Sequence, residues 1–315
     1  MKFSFKYLIK RLLMTIPVLI GITFLAFMLG VIAPGDPAVE YLSMDGVSAP
    51  TEEEIEKARE EMGLNENIFL QYGKWTIRAF KGDLGKSYIT KTSIREEIQR
   101  RLPITFSVSL MAMFFVVTIS IPISIIMALK KDSTIDKAGR MVSLILASMP
   151  GFWIAIIMLS IFCEKLKWLP TSGYGTIKHL MMPGFVLAAG TIGTIMRLHR
   201  ATLIEALGQN YIITARSKGL KEKVITFKYA FINSLMPIVT LLGNYFGGIL
   251  GGSTVVEVIF GIPGMGSYVI KGIMSRDYPV IQGYVVFTGI IFLAFNLLID
   301  LCYLILNPRM RLGGE

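Results

Sequence analysis

Residues 104–129 read ITFSVSLMAMFFVVTISIPISIIMAL, a stretch of 26 residues without a charged side chain. A helix that crosses a membrane needs about 20 mostly apolar residues, so this stretch is long enough for one crossing. Proline and glycine inside such a helix are tolerated, because neighbouring helices can satisfy the backbone groups that they leave free. Five further uncharged stretches exist, and the fourth of the six is the shortest. In chain order the six are Leu12–Ala33, Ile104–Leu129, Met141–Cys163, Leu180–Met196, Tyr229–Val256 and Tyr278–Ile299.

These stretches predict an all-α integral membrane protein with six transmembrane helices. Composition agrees, since 53% of the residues are hydrophobic and 17% are charged, against roughly 25% charged in soluble domains. The first stretch is too long for the apolar part of a cleaved signal peptide, and the sequence APGDP at 33–37 predicts a turn after it. The predicted organisation is an N-terminal tail with the first helix (1–33), an external insertion (34–103), a core of five helices (104–306) and a C-terminal tail (307–315).

The formal net charge of +10 is unevenly distributed among the loops. If the N-terminus is inside, the inside segments 1–11, 130–140, 197–228 and 307–315 together hold 17 Lys or Arg and 5 Asp or Glu, whereas the outside segments hold 15 and 16. An excess of Lys and Arg marks cytoplasmic loops, so both termini are expected in the cytoplasm. No basic face with interleaved aromatic residues lies outside the apolar stretches, which argues against nucleic-acid binding.

The insertion carries a signal for one surface helix. Thr51 and Glu54 form a capping box, and Gly63 is suited to end the helix. This helix either lies on the rest of the insertion or forms a site for a partner. The sequence GDLGKS at 82–87 resembles the end of a phosphate-binding loop, but Phe80 occupies the position where that loop needs glycine. Nucleotide binding by this chain is therefore not expected.

The sequence offers no catalytic or metal-binding pattern. Cys163 and Cys302 match no metal-ligand spacing and are expected to pack among apolar residues. His179 and His199 are the two histidines, and they fall on opposite sides of the expected membrane, so they cannot form one metal site. An intramembrane enzyme would need a metal cluster, a Ser/Lys or Ser/His arrangement or paired intramembrane acids. Catalytic residues, metal ligands and cofactors are accordingly not predicted.

Three polar residues are candidates for the translocation pathway or a gate. An acid inside a membrane helix is a functional candidate by default, and Asp300 directly follows the sixth stretch, within the sixth predicted helix, with Asn296 one helical turn earlier. Asp300 is also only a few residues from the expected cytoplasmic end, where a helix-packing hydrogen bond is the simpler interpretation. Glu257, at the external end of the fifth helix, is either a gate or a structural cap.

The inside segment 197–228 is the longest cytoplasmic stretch. Its pattern predicts a short polar and basic helix, a turn at Gly219 and a second short helix that begins near Lys221. Glycine adopts positive φ angles without a steric penalty, so it can fix two short helices at an angle. Such a pair is too polar to enter lipid. It either lies on the protein surface or docks into a partner.

Residues 211–220, YIITARSKGL, followed by Asn233 and Pro237, resemble the cytoplasmic coupling loop of ATP-binding-cassette (ABC) importer permeases. The variant is similar to that of the dipeptide, oligopeptide and nickel permease family. The sequence departs from the pattern in two places, since Ile213-Thr214-Ala215 stands where the broader superfamily has Glu-Ala-Ala and Tyr229 replaces a frequent histidine. Further matching motifs occur in order along nearly the whole chain: APGDP (33–37), QY (71–72), GDLGKS (82–87), RLP (101–103), SMPGFW (148–153), WLP (168–170), GG (251–252), EVIF (257–260), PGMG (263–266), RDYPVIQ (276–282) and NPRMR (307–311).

The resemblance implies a permease subunit whose second to sixth helices form a MetI-like core, with the first helix peripheral. It implies a bacterial or archaeal plasma membrane and surrounding lipid. The implied partners are a second homologous permease subunit in a heterodimer, two ABC ATPase subunits that bind ATP and Mg, and an extracytoplasmic substrate-binding protein. Residues of 208–224 would contact the ATPase, and Arg216, Lys218 and Lys221 are candidates to pair with its acids. The coupling residues implied by the motif are Tyr211, Thr214, Ala215, Arg216, Lys218, Gly219 and Leu220.

The resemblance leaves the substrate open among nickel, a nickel chelate and short peptides. The motifs around Gly35, SMPGFW at 148–153 and the segment from Trp168 to His179 are similar to the nickel branch. A self-sufficient channel or secondary transporter is the alternative function. The sequence shows neither the internal repeats nor the polar midplane site that are typical of many secondary transporters.

Overall fold

The computed structural model describes residues 5–32, 36–44 and 50–306. Within these ranges the regular elements are helices, which turns and loops connect, and one isolated β-bridge joins Lys86 and Ser93. This confirms the all-α prediction. The helices are α1 (Phe5–Ile32), α2 (Pro37–Met44), α3 (Glu52–Met62), α4 (Ile68–Phe80), α5 (Ile94–Leu129), α6 (Thr134–Ser148), α7 (Gly151–Met158), α8 (Ile177–Leu207), α9 (Asn210–Ser217), α10 (Glu222–Val224), α11 (Phe231–Ser234), α12 (Met236–Gly252), α13 (Thr254–Ile259), α14 (Met265–Met274) and α15 (Tyr278–Leu306), with π-helical segments at Leu159–Lys165 and Ile225–Ala230.

Three single helices are long and apolar enough to cross a membrane, namely α5, α8 and the Tyr278–Ile299 part of α15. Two bent helix pairs bring the number of possible crossings to five. Helix α1 adds a shorter apolar stretch, Leu13–Met28, so the predicted count of six stays a prediction. The shortest apolar stretch, Leu180–Met196, lies within the 31 residues of α8 and is therefore part of one of the longest helices.

The third apolar stretch is not one straight helix, which corrects the expectation for Met141–Cys163. Helix α6 ends at Ser148, and the next helical segment, Gly151–Lys165, leaves at an angle of 103°. Met149 between them has an extended backbone with ψ 130°. The cause is Pro150, because a proline disfavours the helical conformation in the residue before it and donates no backbone hydrogen bond.

The fifth apolar stretch is also broken. The segments Glu222–Ser234 and Met236–Leu250 meet at an angle of 50°. Pro237 lies in the first turn of α12, where a proline is favourable because its missing N–H would have no partner in the helix. The continuous helix expected over Tyr229–Val256 is therefore replaced by a π-helical turn, α11, α12 and the start of α13.

The described chain divides into two compact units. The first contains residues 105–262 and the end of α15 from residue 292. Its core consists of buried side chains of α5, α8 and α12, among them Val116, Ile192 and Ile238. Helix α6 packs along α8. The helices of this unit therefore enclose a continuous apolar core.

The second unit contains residues 5–104 and 263–291. Its helix α3 confirms the predicted capping box, since Thr51 and Glu54 exchange side-chain to backbone bonds. Gly63 ends this helix with φ 69°, as the sequence predicts. A small core with Ile94 and Tyr268 joins the start of α5 to α14 and α15. The expected turn at 33–37 falls partly on 33–35, outside the described residues, although α2 begins at Pro37 as a new helix.

Candidate functional site

The segment expected to meet a partner consists of α9, a turn and α10. Helix α9 is held in place by its inner side, where Ile212 and Ala215 are buried. They belong to an apolar cluster with Ala128 of α5, Leu203 of α8 and Ile225. Because packed apolar side chains resist displacement, α9 is a fixed part of the first unit. Residues 197–207, the first part of the predicted cytoplasmic segment, continue α8, so the short helix before Gly219 is α9 alone.

The turn after α9 confirms the prediction at Gly219. Its backbone N–H donates to the Arg216 carbonyl at 2.9 Å, and the N–H of Leu220 donates to the Ala215 carbonyl at 3.3 Å. These two bonds form a Schellman motif, which requires a left-handed residue at the glycine position. Gly219 has φ 72°. A Cβ atom added there would meet no other atom within 4 Å, so the constraint comes from the backbone alone.

An ion pair spans this turn. The Arg216 Nε atom lies 2.7 Å from Glu222 Oε1, and its Nη2 atom lies 3.2 Å from Oε2. This bidentate bond raises the pKa of Arg216 and ties α9 to α10. Of the three basic residues proposed to pair with acids on a partner, Arg216 is therefore already paired. Lys218 and Lys221 are exposed, and neither forms an ion pair within the part of the chain that the structure describes.

The outer face of this segment carries polar side chains together with a set of large exposed apolar ones. Of the seven predicted coupling residues only Ala215 is buried, and it faces the cluster below α9. Partial burial raises the pKa of Tyr211, and a hydrogen bond with Asn233 opposes that rise. The exposed large side chains along α9, the turn and the following helix are Tyr211, Ile213, Leu220, Val224 and Phe227. The coupling roles of these residues stay a prediction.

A salt bridge that the sequence analysis missed fixes the base of α6. Asp136 is fully buried and accepts two bonds from Arg200 of α8, at 2.5 Å to Nε and 2.6 Å to Nη2. The backbone N–H of Asp132 also donates to Asp136, at 2.9 Å. Bidentate pairing of this kind is the strongest arrangement between a guanidinium and a carboxylate. It holds the α5–α6 connection against α8.

His199 is a packing residue inside the first unit. It is fully buried in α8. Its Nδ1 atom lies 2.7 Å from the Ser124 hydroxyl of α5, and its Nε2 atom lies 3.2 Å from the Ser234 hydroxyl of α11. His179, by contrast, is half-buried, and its Nδ1 atom lies 2.8 Å from the Thr176 hydroxyl. Among the described residues, no group of three or more His, Cys, Asp or Glu side chains could hold a metal ion.

Glu257 is buried at the start of α13. Its Oε1 atom accepts bonds from the Thr105 hydroxyl at 2.7 Å and from the Ser253 hydroxyl at 2.8 Å. These two bonds fix the carboxylate and link α13 to α5, and the interpretation of Glu257 as a structural cap stays a prediction. Its role as a gate stays a prediction.

The remaining pathway candidates give less information. The Asn296 amide donates to the Phe292 carbonyl of its own helix at 3.0 Å. Asp300 belongs to α15, but its side chain lies outside the described residues, as does Cys302. Cys163 is buried with its sulfur 3.8 Å from that of Met182, which agrees with the expected apolar packing.

The second unit brings two distant motifs together. The Ser87 hydroxyl donates to Asp277 Oδ2 at 2.5 Å, and the Tyr88 N–H donates to Oδ1 at 3.1 Å. The segment GDLGKS at 82–87 is thus a loop that is held against the RDYPVIQ motif at 276–282. This contact gives the segment a structural role. Burial and the nearby Asp277 carboxylate raise the pKa of Tyr88 to about 12.

Beside this anchored loop lies a cavity of about 710 Å³ within the second unit. Polar residues of α4 line one wall, and Asp36, Arg59 and Glu66 lie around it. Arg59 pairs with Asp36 at 2.6 Å, and Lys74 pairs with Glu66. Both acids are therefore paired with neighbouring bases. The wall of the cavity also includes apolar residues such as Phe27, Met62 and Trp75, and the cavity does not follow from the sequence.

Comparison with known proteins covers nearly the whole chain. Residues 120–312 match the family model described as binding-protein-dependent transport system inner membrane component. Residues 4–109 match the model of the N-terminal part of such a membrane component. The chain is 37% identical over 316 residues to the oligopeptide transport system permease protein of Bacillus subtilis, covering 97% of this chain and 99% of that protein.

Two further relatives have similar coverage. The dipeptide transport system permease protein of Alkalihalophilus pseudofirmus is 34% identical over 333 residues, covering 97% of this chain and 99% of the relative. The glutathione transport system permease protein of Pectobacterium atrosepticum is 34% identical over 305 residues, with 97% and 98% covered.

Proposed function

The chain belongs to the family of binding-protein-dependent transport system inner membrane components, as a permease subunit of an ABC importer of the peptide/nickel family, and on this premise we propose its substrate and its coupling element. It is a multi-pass membrane protein that acts within a transporter complex. It is a transport subunit and not an enzyme. We propose that both termini lie in the cytoplasm, following the distribution of Lys and Arg.

The proposed substrate is a short peptide. The relatives described above are named for oligopeptides, dipeptides and glutathione, and all three of these substrates are built from amino acids. The similarity of some motifs to the nickel branch gains no support from these names. In such importers an extracytoplasmic binding protein delivers the substrate, and two permease subunits form the pathway.

The substrate class is tested in proteoliposomes that contain the complete complex, with ATP supplied on the side of the membrane that carries the ATPase subunits. Labelled dipeptide, glutathione and nickel are offered in parallel through the cognate binding protein. We expect ATP-dependent uptake of a peptide that excess unlabelled peptide suppresses and nickel does not. Uptake of nickel alone would overturn the peptide assignment and leave the permease assignment intact.

The proposed coupling element is the outer face of α9, the Gly219 turn and α10, which would contact an ABC ATPase subunit that binds ATP and Mg. One observation carries this proposal: a row of exposed apolar side chains is mounted on a helix whose other side is anchored in the core of the first unit. A helix that is fixed in the core on one side and binds a partner on the other can transmit the partner's movement to the subunit. Lys218 and Lys221 would add charge complementarity at its rim.

Ile213→Ser tests the outer face. Ile213 is 57% exposed on α9, so the change costs the free subunit little stability. Burying an isoleucine in an interface contributes about 1.5–3 kcal/mol, so we expect a loss of roughly tenfold or more in affinity for the ATPase. Ile135→Ser, on an isoleucine 46% exposed in α6, is the matched control. Equal ATPase binding by the two variants would contradict the assignment.

Gly219 provides a second test. Gly219→Trp places a bulky side chain on the proposed contact and strains the left-handed backbone by about 1–2 kcal/mol. Gly219→Asn is the control, because asparagine adopts this backbone conformation with a small penalty. We expect uptake to fall with tryptophan and to persist with asparagine, with both proteins inserted at normal levels. Normal uptake by Gly219→Trp would refute the coupling role.

A further inference from the structure

Helix α4 of the second unit presents three different faces. The first is buried, with Tyr72, Trp75 and Ala79 packed toward α1. The second is polar and consists of Gln71, Lys74 and Arg78, which line the cavity of about 710 Å³. The third face is apolar and exposed, and its members are Phe69, Leu70, Ile77 and Phe80.

The exposed face is too apolar for a helix surrounded by water. Phe69 is 73% exposed and Phe80 is 88% exposed. At 100° per residue, the four members of this face fall within an arc of about 100°, with Phe69 at the edge of the arc that borders α1. Scattered exposed apolar residues are ordinary, but a contiguous apolar face marks a contact with a protein or a membrane.

Contacts with α1 place this face at the depth of the membrane. The Tyr72 hydroxyl lies 2.8 Å from the Thr23 hydroxyl, and the Phe24 and Phe69 rings are 6.4 Å apart. Thr23 lies in the uncharged stretch that runs from Leu12 to Ala33. At 1.5 Å per residue, it is roughly 15 Å from the C-terminal end of that stretch. Helix α4 therefore runs beside the apolar part of α1 and not beyond its end.

We propose that α4 lies within the bilayer beside α1, with its apolar face in contact with lipid acyl chains. The exposed apolar side chains of α1, such as Ile20 and Leu25, make this surface continuous with one that is already suited to lipid. The polar face fits the same placement. Basic side chains at membrane depth point toward a water-filled cavity or extend to the headgroups, and Lys74 and Arg78 both border the cavity of about 710 Å³.

This placement changes the interpretation of the insertion. The segment 34–103 follows the first apolar stretch and carries many charges, so the sequence analysis assigned all of it to the external water phase. With α4 inserted, only its other parts remain in water. The fold thereby joins a lipid-facing helix directly to the Ser87–Asp277 loop contact, through the residues between Phe80 and Ser87.

Spin labels test the depth of α4. In a background with Cys163→Ser and Cys302→Ser, cysteine is introduced singly as Phe69→Cys, Ile77→Cys and Phe80→Cys, and a nitroxide is attached to the full chain in lipid nanodiscs. Collisions with oxygen, which concentrates in lipid, are compared with collisions with the water-soluble chromium oxalate ion. Lys57→Cys on the exposed side of α3 is the aqueous control, and Leu25→Cys on α1 is the lipid control.

We expect the three α4 labels to follow Leu25→Cys, with an oxygen-to-chromium collision ratio at least several-fold above that of Lys57→Cys. Ratios equal to that of Lys57→Cys would overturn the proposal and place α4 in water. Low collision rates with both reagents would overturn it as well, because they indicate that a protein surface covers this face. Circular dichroism of each labelled variant establishes that α4 remains folded, and Arg78→Cys should stay accessible to chromium oxalate.

Discussion

Gly193 of α8 gives the sharpest test of helix packing in the first unit. A Cβ atom added there would overlap the Ser143 carbonyl oxygen of α6 and would lie 3.0 Å from the Ala147 nitrogen. Both of these atoms belong to the backbone, so no side-chain rotation can relieve the overlap. Small residues at such crossings let membrane helices approach closely. Gly193→Ala must therefore push α6 and α8 apart.

Gly190 is a matched control in the same helix. The nearest atom to an added Cβ there is the Leu146 carbonyl oxygen, at 4.0 Å, which is an ordinary contact. Replacing glycine by alanine inside a helix gains about 0.5–1 kcal/mol in either position. Overpacking at Gly193 costs about 1–3 kcal/mol. Because the helix-propensity gain cancels, the difference between the two variants measures the steric cost alone.

The assay is thermal unfolding of both variants in the same detergent, followed by intrinsic fluorescence. We expect Gly190→Ala to unfold at or above the wild-type temperature. We expect Gly193→Ala to unfold on the order of 5 °C below Gly190→Ala, since each 1 kcal/mol shifts the midpoint of a large domain by about 2–4 °C. If both variants unfold at the same temperature, α6 and α8 are not in contact at Gly193.

Three other changes probe the remaining contacts. Asp136→Ala leaves the Arg200 charge without its partner and should cost about 3 kcal/mol, whereas Glu205→Ala, a control at an exposed acid of α8, should change the unfolding free energy by less than about 0.5 kcal/mol. Asp277→Ala removes two hydrogen bonds from the 87–88 loop and should cost about 1–3 kcal/mol, measured as faster amide exchange at Ser87 and Tyr88. Hydrogen bonds from Thr51 lower the pKa of Glu54 below its ordinary value of 4.5, so the capping box stabilises α3 above that pH and loses this effect as the pH falls through the folded-state pKa. Amide exchange in α3 of wild type and Glu54→Gln should therefore differ at pH 6 and converge at pH 3.

The sequence was sufficient for features that depend on neighbouring residues. Long uncharged stretches indicate helices because a backbone in lipid has to satisfy its own hydrogen bonds. The caps at Thr51 and Gly63 and the turn at Gly219 follow from the local conformations that those residue types favour. The predictions at Thr51, Gly63 and Gly219 are confirmed, since each involves contacts within a few residues.

Features that join distant segments could not be predicted in this way. Asp136 and Arg200 are 64 residues apart, and Ser87 and Asp277 are 190 apart. Nothing in either neighbourhood shows that these side chains meet. Pro150 is a different case, because a membrane helix can either continue through a proline with a kink or break at it. The surrounding packing decides between these outcomes, and here the chain turns by 103°.

In the proposed coupling element, the outer side of α9 binds the ATPase and its inner side transmits the movement to other helices. Its outer residues can only affect how tightly an ATPase is held, whereas Ile212 and Ala215 connect α9 to the ends of α5 and α8. Ser124, His199 and Ser234 join α5, α8 and α11 by hydrogen bonds. Densely packed interiors have low compressibility, so a displacement of α9 has to move these helices together or break the contacts between them. The inward-facing residues of this segment, which carry no exposed surface, are therefore as necessary to the proposed mechanism as those that would touch the motor.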